Sequence, residues 1–421
     1  MLLPDQILVK MSGLAFGGSC VGLVVDGKQD ALGKKCFIPF TIPGELVVAK
    51  ITKDGGSFFE ANLVKILETS RDRIEPRCPI FSECGGCQLQ HMELALQREE
   101  KKRMVEQTLN AQAEIKPQEP IVFLGETFSG WNYRKRVIFH ASKEGVVGFY
   151  QPLSRRLIEV QHCHITSPAI NRSLKEIKLI IQDTCPHIYD IIVEEQGGEV
   201  NVVFKVRPAK KINREQIHDL FLRFVKSPPF NFSVIYGNDN IVSALADSLQ
   251  KRTVGHFSQV NHEANALLVE TVCQQLSGVD ILELFAGSGN FTLPLAQTGK
   301  QVTAVECDKA LVKYGQEKAI ELEVSDRVTF VRKSYEKYIR KYPLKRDILI
   351  DPPRSGAIEL VRMLNSENTN QLVYVSCHLP TLTRDLKILQ ENGLYLRRIF
   401  LLDMFPQTHH IETISVVEPI Q

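Results

Sequence analysis

The stretch "DILELFAGSGNFTLPLA", residues 280–296, decides the fold. A short apolar segment ends in a turn carrying Gly287 and Gly289, and a helix-like segment follows: the order of buried strand, tight turn and helix. The alternation repeats downstream. "QVTAVECD" (301–308), "RVTFVRKS" (327–334), "RDILIDPPRSG" (346–356) and "NQLVYVSCH" (370–378) read as further buried strands separated by helical stretches. From about residue 256 the chain therefore reads as a doubly wound, mostly parallel α/β sheet, whose ligands lie at the carboxyl ends of its strands.

Working upstream, the 421 residues are too many for one ordinary core, so two or three domains are expected. Residues 1 to about 70 hold short β-type segments broken by glycines, "QILVKMS", "GLVV", "KKCFIPF", "GELVVAKITK" and "SFFEANLVKIL", which suit an OB-like β-barrel. Residues 71–255 read as a central α+β domain. It opens with three cysteines in "CPIFSECGGCQLQH" (78–91), followed by an amphipathic helix over 93–110 through Leu94, Leu96, Met104, Val105 and Leu109. The "REEKKR" run inside that helix reads as a solvated face. The arginines of "WNYRKRVIF" and "SRRLIEV" alternate with apolar residues as on one face of a half-buried sheet.

Bulk properties exclude more than they assign. With 51 basic and 49 acidic residues, any affinity for nucleic acid comes from local patches rather than a global field. No apolar run is long enough to cross a bilayer and the start "MLLPDQILVK" lacks a signal-peptide pattern, so a cytoplasmic protein with no membrane partner is expected. Ten cysteines in a chain of this length are too sparse for a disulfide scaffold, and in a reducing compartment clustered cysteines bind metal or catalyse.

The strand ends carry the chemistry. Glu306 lies about 20 residues beyond the glycine turn, where a carboxylate accepts hydrogen bonds from ribose hydroxyls. "ELFAGSGNF" resembles the first motif of methyltransferases that use S-adenosylmethionine, and "DPPR" (351–354) resembles the motif that they place beside the methyl-accepting base; with Glu306 these resemblances favour a methyltransferase over a dehydrogenase. Cys377 closes the fifth strand at the same edge. Methylation of a pyrimidine at C5 needs a thiolate to add at C6, which makes C5 nucleophilic, and then a base to take the C5 proton. Glu412, in "LDMFPQTHHIETISVV" beside His409 and His410, is the base candidate.

"DPPRSG", "VYVSC…TLTRDL", "LDMFPQTHHIE" and the upstream "HFSQVNHEAN" resemble the RNA (uracil-5-)-methyltransferase family. The resemblance implies a Rossmann-like methyltransferase domain over 256–421, with Cys377 as nucleophile and Glu412 as proton acceptor. Gln259, Phe285, Asn290, Glu306 and Asp351 would line the S-adenosylmethionine site, with Ser334 a further contact. Where the family usually has Asn-Pro after the cysteine, this chain has His378 and Leu379; an altered loop is expected rather than lost activity.

Cys78, Cys84 and Cys87 follow a C-x5-C-x2-C spacing, unlike the C-x3-C-x2-C of radical enzymes. Three thiolates need a fourth ligand. Cys163 in "EVQHCHITSP" is the leading candidate, with His91, His162 and His164 behind it. Residue chemistry leaves zinc and iron–sulfur open. Resemblance to the family's subgroup acting on 23S ribosomal RNA implies a [4Fe-4S] cluster there, and a TRAM β-barrel over 1–70. The expected substrate is a loop or single-stranded uridine of 23S rRNA, with no obligatory protein partner evident. Two alternatives stay open: the same reaction on transfer RNA, and an inactive RNA-binding or assembly protein.

Overall fold

Five short strands with alternating buried and open positions close on themselves at the N-terminus. In this computed structural model, residues 5–420 are described except 28, 185–186, 208–230, 237–240, 245–258 and 345–346. The first three residues of "HFSQVNHEAN" lie outside the described residues. Strands β1 (Gln6–Leu14), β2 (Cys20–Asp26), β3 (Lys35–Ile38), β4 (Leu46–Asp54) and β5 (Phe58–Glu68) form a closed barrel in the order β1-β2-β3-β5-β4. Its interior is the alternate set Ile7, Val9, Met11, Cys36, Ile38, Val47 and Ala49, as period-2 burial requires.

The cysteine-bearing loop follows, and then helix α1 (Leu94–Ala113) and a short strand β6 (Val122–Leu124). The middle sheet is built from β7 (Arg136–Ala141), β8 (Val147–Tyr150), β9 (Leu157–Glu159), β10 (Ile188–Gln196), β11 (Glu199–Val206), β12 (Asn231–Tyr236) and β13 (Ile241–Ala244), in the order β13-β12-β11-β10-β7-β8-β9. Helix α2 (Pro168–Thr184) packs Ile170, Leu174, Ile177 and Ile181 on it. Arg155 and Arg156 sit exposed in the turn before β9, not on a strand face as the alternation predicted.

The C-terminal sheet contains β14 (Asp280–Leu284), β15 (Gln301–Glu306), β16 (Val328–Arg332), β17 (Asp347–Ile350), β18 (Gln371–Ser376), β19 (Leu394–Leu402) and β20 (Glu412–Pro419). Its helices are α3 (His262–Gln275), α4 (Thr292–Gln297), α5 (Lys309–Glu321), α6 (Tyr335–Ile339), α7 (Ile358–Val361) and α8 (Leu379–Glu391). The strand order is β16-β15-β14-β17-β18-β20-β19-β6. Strands β14 to β18 are mutually parallel and β20 is antiparallel to β18, so the start of β20 lies at the carboxyl edge of its neighbours. β6, from the chain segment before the middle sheet, joins parallel to β19 at the edge.

Helix α1 corrects the expectation of a solvated face. Met104, Val105 and Leu109 are buried as the periodicity demands, yet Glu100 and Lys101, in the middle of "REEKKR", are buried too. The helix is enclosed from two sides. Glu100 accepts a hydrogen bond from the Leu14 amide at the end of β1 (2.9 Å), while Lys101 Nζ reaches Asp403 Oδ1, beyond β19, at 2.6 Å. Gln97 donates to the Leu89 and Met92 carbonyls and exchanges two hydrogen bonds with Gln407. Charges in this helix therefore serve as internal fasteners between barrel, cysteine loop and C-terminal sheet.

Removing one member of a buried ion pair strands the other without water. Lys101→Met is expected to lower unfolding free energy by roughly 3–5 kcal/mol in urea titrations. Adding Asp403→Leu should restore much of that loss, and equal instability of the single and double variants would show that the charge pairing is not the cause.

Candidate active site

The order of strands in the C-terminal sheet sets the order of functional groups along its carboxyl edge. Neighbouring strands are spaced about 4.8 Å apart, so residues at successive strand ends form a row. That row runs Glu306 at the end of β15, the glycine turn after β14, Asp351 after β17, Cys377 after β18 and Glu412 at the start of β20. Ser376 is in register with Thr413, and the Thr413 hydroxyl donates to the Ser376 carbonyl at 2.9 Å. Cys377 and Glu412 are the next residues out on each strand, so the register sets them side by side.

The turn after β14 is strained where it has to be. Phe285 has φ 63°, a conformation that a bulky side chain rarely adopts, and Gly287 and Gly289 follow at 56° and 96°. Glu306 ties the turn from the next strand, accepting from the Gly287 amide (3.0 Å) and the Asp308 amide (2.9 Å). Buried Glu283 accepts from the Thr292 hydroxyl at 2.6 Å, fastening β14 to the start of α4. Burial pushes the Glu283 carboxyl up to about 8. The Phe285 ring meets Tyr335 with centroids 4.7 Å apart, an aromatic pair of which the sequence reading named only one member.

The other proposed cofactor contacts have partners within the protein. Asn290 turns its amide to α3, where it exchanges two hydrogen bonds with Asn265 at 3.0 and 3.1 Å. Ser334 caps α6, its hydroxyl accepting from the Lys337 amide. Gln259 is half-buried and stands immediately before the Val260 carbonyl that binds the Lys135 amide at 2.7 Å.

Electrostatics mark the row's far end. Burial, with the charges of Glu412 and Asp351, pushes the Cys377 thiol up to about 11, against which Arg354 acts to lower it. Burial raises Asp351 to about 7. Glu412 rises well above the ordinary carboxylate range through burial and the neighbouring Asp351 charge. Two carboxyls that hold protons readily thus stand beside one thiol that gives its proton up reluctantly.

The loop carrying Asp351 is anchored from α8. Asp385 is fully buried and accepts from the Ala357 amide (3.0 Å) and the Tyr374 hydroxyl (2.8 Å). Arg384 donates to the Ser355 carbonyl at 3.0 Å. The segment ahead of Glu412 is held just as firmly: Tyr133 donates to the Pro406 carbonyl, and the Gln88 and Leu89 amides both donate to the Gln407 carbonyl at 3.0 Å. His409 and His410 pack ring to ring at 4.1 Å, and burial lowers them to about 4 and about 3, so both are neutral.

The cysteine loop forms a second centre in the middle region. Cys78, Cys84, Cys87 and Cys163 line one cavity of about 240 Å³, together with His162, His164 and apolar groups including Phe81, Val137 and Phe149. His91, a candidate ligand from sequence, lies elsewhere: its ring Nε2 is 3.2 Å from the Thr41 carbonyl of the barrel. Among the described residues, no group of three or more His, Cys, Asp or Glu side chains is arranged to hold a single metal ion. Burial raises all four thiols, Cys84 to about 11 and Cys87 to about 12, and for Cys78, Cys84 and Cys87 the charge of neighbouring thiolates adds to it.

Comparison with known proteins decides the family. A family model described as tRNA (uracil-5-)-methyltransferase matches residues 236–418. The 23S rRNA (uracil(1939)-C(5))-methyltransferase RlmD of Shewanella woodyi is 30% identical over 92% of this chain and 91% of its own length. The chain belongs to the RNA (uracil-5-)-methyltransferase family. RlmD of Marinomonas posidonica is also 30% identical, over 92% of this chain and 91% of its own. The crystal structure of Pyrococcus abyssi tRNA (uracil-54, C5)-methyltransferase in complex with S-adenosyl-L-homocysteine matches with a TM-score of 0.73, covering 98% of this chain and 99% of that one at 20% identity. The fold of this family member, with barrel, middle sheet and Rossmann-like sheet, is thus matched along its whole length.

The raised thiol has a measurable sign. Protonated at neutral pH, Cys377 should react slowly with iodoacetamide at about pH 7, and faster by about tenfold per pH unit as the solution approaches its titration. Peptide mapping reads the rate at this one site. A plateau already reached near neutral pH would show that the thiol is not raised.

Proposed function

We propose that the protein transfers a methyl group from S-adenosylmethionine to C5 of a uridine in 23S rRNA. The observation that carries this reading is the pairing of Cys377 and Glu412 at the ends of adjoining strands, next to Asp351 and the strained glycine turn. S-adenosylmethionine supplies the electrophilic methyl group on its sulfonium. Glu306 offers acceptors to ribose hydroxyls, and Phe285 with Tyr335 offers an aromatic wall to the adenine. The substrate uridine leaves its stack to reach the edge of the sheet. Cys377 gives up its proton to water and its sulfur bonds to C6 as the C5–C6 double bond opens to an enolate. C5 then bonds to the methyl carbon as that carbon's bond to the sulfonium sulfur breaks, leaving S-adenosylhomocysteine. Glu412 then takes the C5 proton, the double bond re-forms, and the C6–S bond breaks to free Cys377. A base with raised proton affinity, beside a thiol that must be returned to the enzyme, suits that final step.

One consideration favours 23S rRNA over transfer RNA, and another favours an active enzyme. The curated relatives matching nine-tenths of the chain at about 30% identity act on 23S rRNA, whereas the likeness to the archaeal transfer-RNA enzyme, at 20%, is one of fold. The row of intact strand-end groups also speaks against an inactive binding protein, since Cys377, Glu412 and Asp351 influence one another's proton affinity as a working site does.

For the second centre we propose a [4Fe-4S] cluster held by Cys78, Cys84, Cys87 and Cys163. Four thiols around one cavity supply the four thiolates that such a cluster takes, one for each iron. Buried thiols raised by one another's charge need a cationic group to hold them as thiolates, which bound iron provides. We assign the barrel, of the TRAM kind, and the middle sheet to holding RNA.

RNA containing 5-fluorouridine should trap the enzyme covalently, because fluorine at C5 cannot leave as a proton. Cys377→Ala should form no adduct, and Glu412→Gln should accumulate an adduct even with ordinary uridine. A wild type that methylates RNA without ever forming an adduct would overturn the mechanism. Mapping 5-methyluridine in 23S and transfer RNA from a deletion strain assigns the substrate. Anaerobically purified protein should carry iron and acid-labile sulfide in equal amounts, lost in Cys84→Ala; zinc without sulfide would refute the cluster.

A further inference from the structure

The barrel touches the catalytic edge through the turn between β1 and β2. That turn is tight: the Ala15 amide donates to the Ser19 carbonyl (2.9 Å) and the Gly18 amide to the Ala15 carbonyl (3.2 Å), with Gly17 and Gly18 at φ 102° and 91°. A Cβ at Gly18 would stand 3.2 Å from Gln88 and from His409 Nδ1, so the turn is pressed against the segment that leads to Glu412. At its tip Phe16 remains 38% exposed. Its ring stands edge-on to His378, the residue after Cys377, at 5.2 Å and 89°, and to His409 at 5.9 Å and 82°. His378 is itself pinned, Nδ1 lying 3.0 Å from the Thr381 hydroxyl.

These three rings come from three remote parts of the chain and flank the nucleophile. Burial lowers both histidines, so they present neutral aromatic faces instead of charges. Arg354 is exposed in the loop after β17, near enough for its charge to act on Cys377, His378 and His409 alike. An aromatic surface with a cation at its margin is what an unstacked nucleotide needs: a face for the base and a charge for its phosphate. Flipping a uridine out of its stack leaves the adjacent base without one neighbour, and that base must be covered for the flipped state to persist.

We propose that Phe16, His378 and His409 form a stacking site for the nucleobase adjacent to the target uridine, with Arg354 on the intervening phosphate. This deepens the function proposed above and rests on it. Phe16 is thereby an RNA-binding residue contributed by the barrel, and His378, where the family usually carries Asn, provides a ring in place of an amide.

A synthetic stem-loop RNA carrying the target uridine, made also with an abasic residue on its 5′ or its 3′ side, tests this by equilibrium binding. The wild type should lose about tenfold in affinity at one of the two abasic positions. Phe16→Leu should bind the intact RNA about as weakly and lose nothing further at that position, while Phe16→Tyr should restore the sensitivity. Losses that multiply, or equal tolerance of both abasic sites by the wild type, would overturn the stacking site even though methylation proceeds. A wild type that binds the stem-loop but methylates no RNA would overturn the proposed reaction instead, and this inference with it.

Discussion

Lys101, shut off from water, holds the carboxylate of Asp403 at 2.6 Å, and the segment from 403 to 411 takes its shape around that contact. A buried pair of this kind adds little net stability over an apolar replacement; it fixes one arrangement, because any other leaves a charge alone in the interior. Around it the same segment receives Asn261 at the Met404 carbonyl, Tyr133 at Pro406, and Gln97, Gln88 and Leu89 at Gln407. Gln407 itself has φ 68°, a left-handed conformation held by those partners. Three regions of the protein thereby meet on a single stretch of backbone, and Glu412 begins the strand that leaves it.

The remainder of the proposed site is a matter of strand order. The parallel strands deliver the glycine turn, Asp351 and Cys377 by ending at one edge, and β20 supplies Glu412 by starting there, because it runs the opposite way. Precision comes from backbone pairing, which tolerates little error: slipping β20 by one residue would turn Glu412 to the other face of the sheet. Asp385 completes the frame by fixing the turn after β17 from the helix that follows Cys377.

What could be read from sequence depended on how local the cause was. Strands such as Ile348–Ile350 and Leu372–Val375 declare themselves, since burial on both faces demands unbroken apolar residues. The barrel's segments likewise announced a β-structure through alternation and glycine turns. Helix α1 was found by its period, but the burial of Glu100 and Lys101 was not, because their partners lie at Leu14 and Asp403, the latter 302 positions away. At the site, Cys377, Glu412 and Asp351 stand at strand ends as their sequence context indicates, whereas the hydrogen bonds that Asn290 makes with Asn265 and Ser334 with the Lys337 amide depend on how the neighbouring helices pack and had no sequence signal. Tyr335 and Asp385 gave no signal of their own; only the packing of Phe285 and the return of α8 reveal them.

Strand β6 bears on how this chain reaches its native state. Residues 118–124 lie along β19, with the Gln118 and Glu119 amides on the Leu396 and Arg397 carbonyls and Glu119 paired with both Arg397 and Arg398. They cover an edge that would otherwise offer its unpaired backbone to any passing strand. Glu119 and Arg397 are 278 positions apart, so during synthesis the covering strand emerges long before the edge it protects. The C-terminal sheet therefore closes only after β19 and β20 have been made, through a pairing between distant parts of the chain, and the strand that covers the β19 edge is already present when that edge forms.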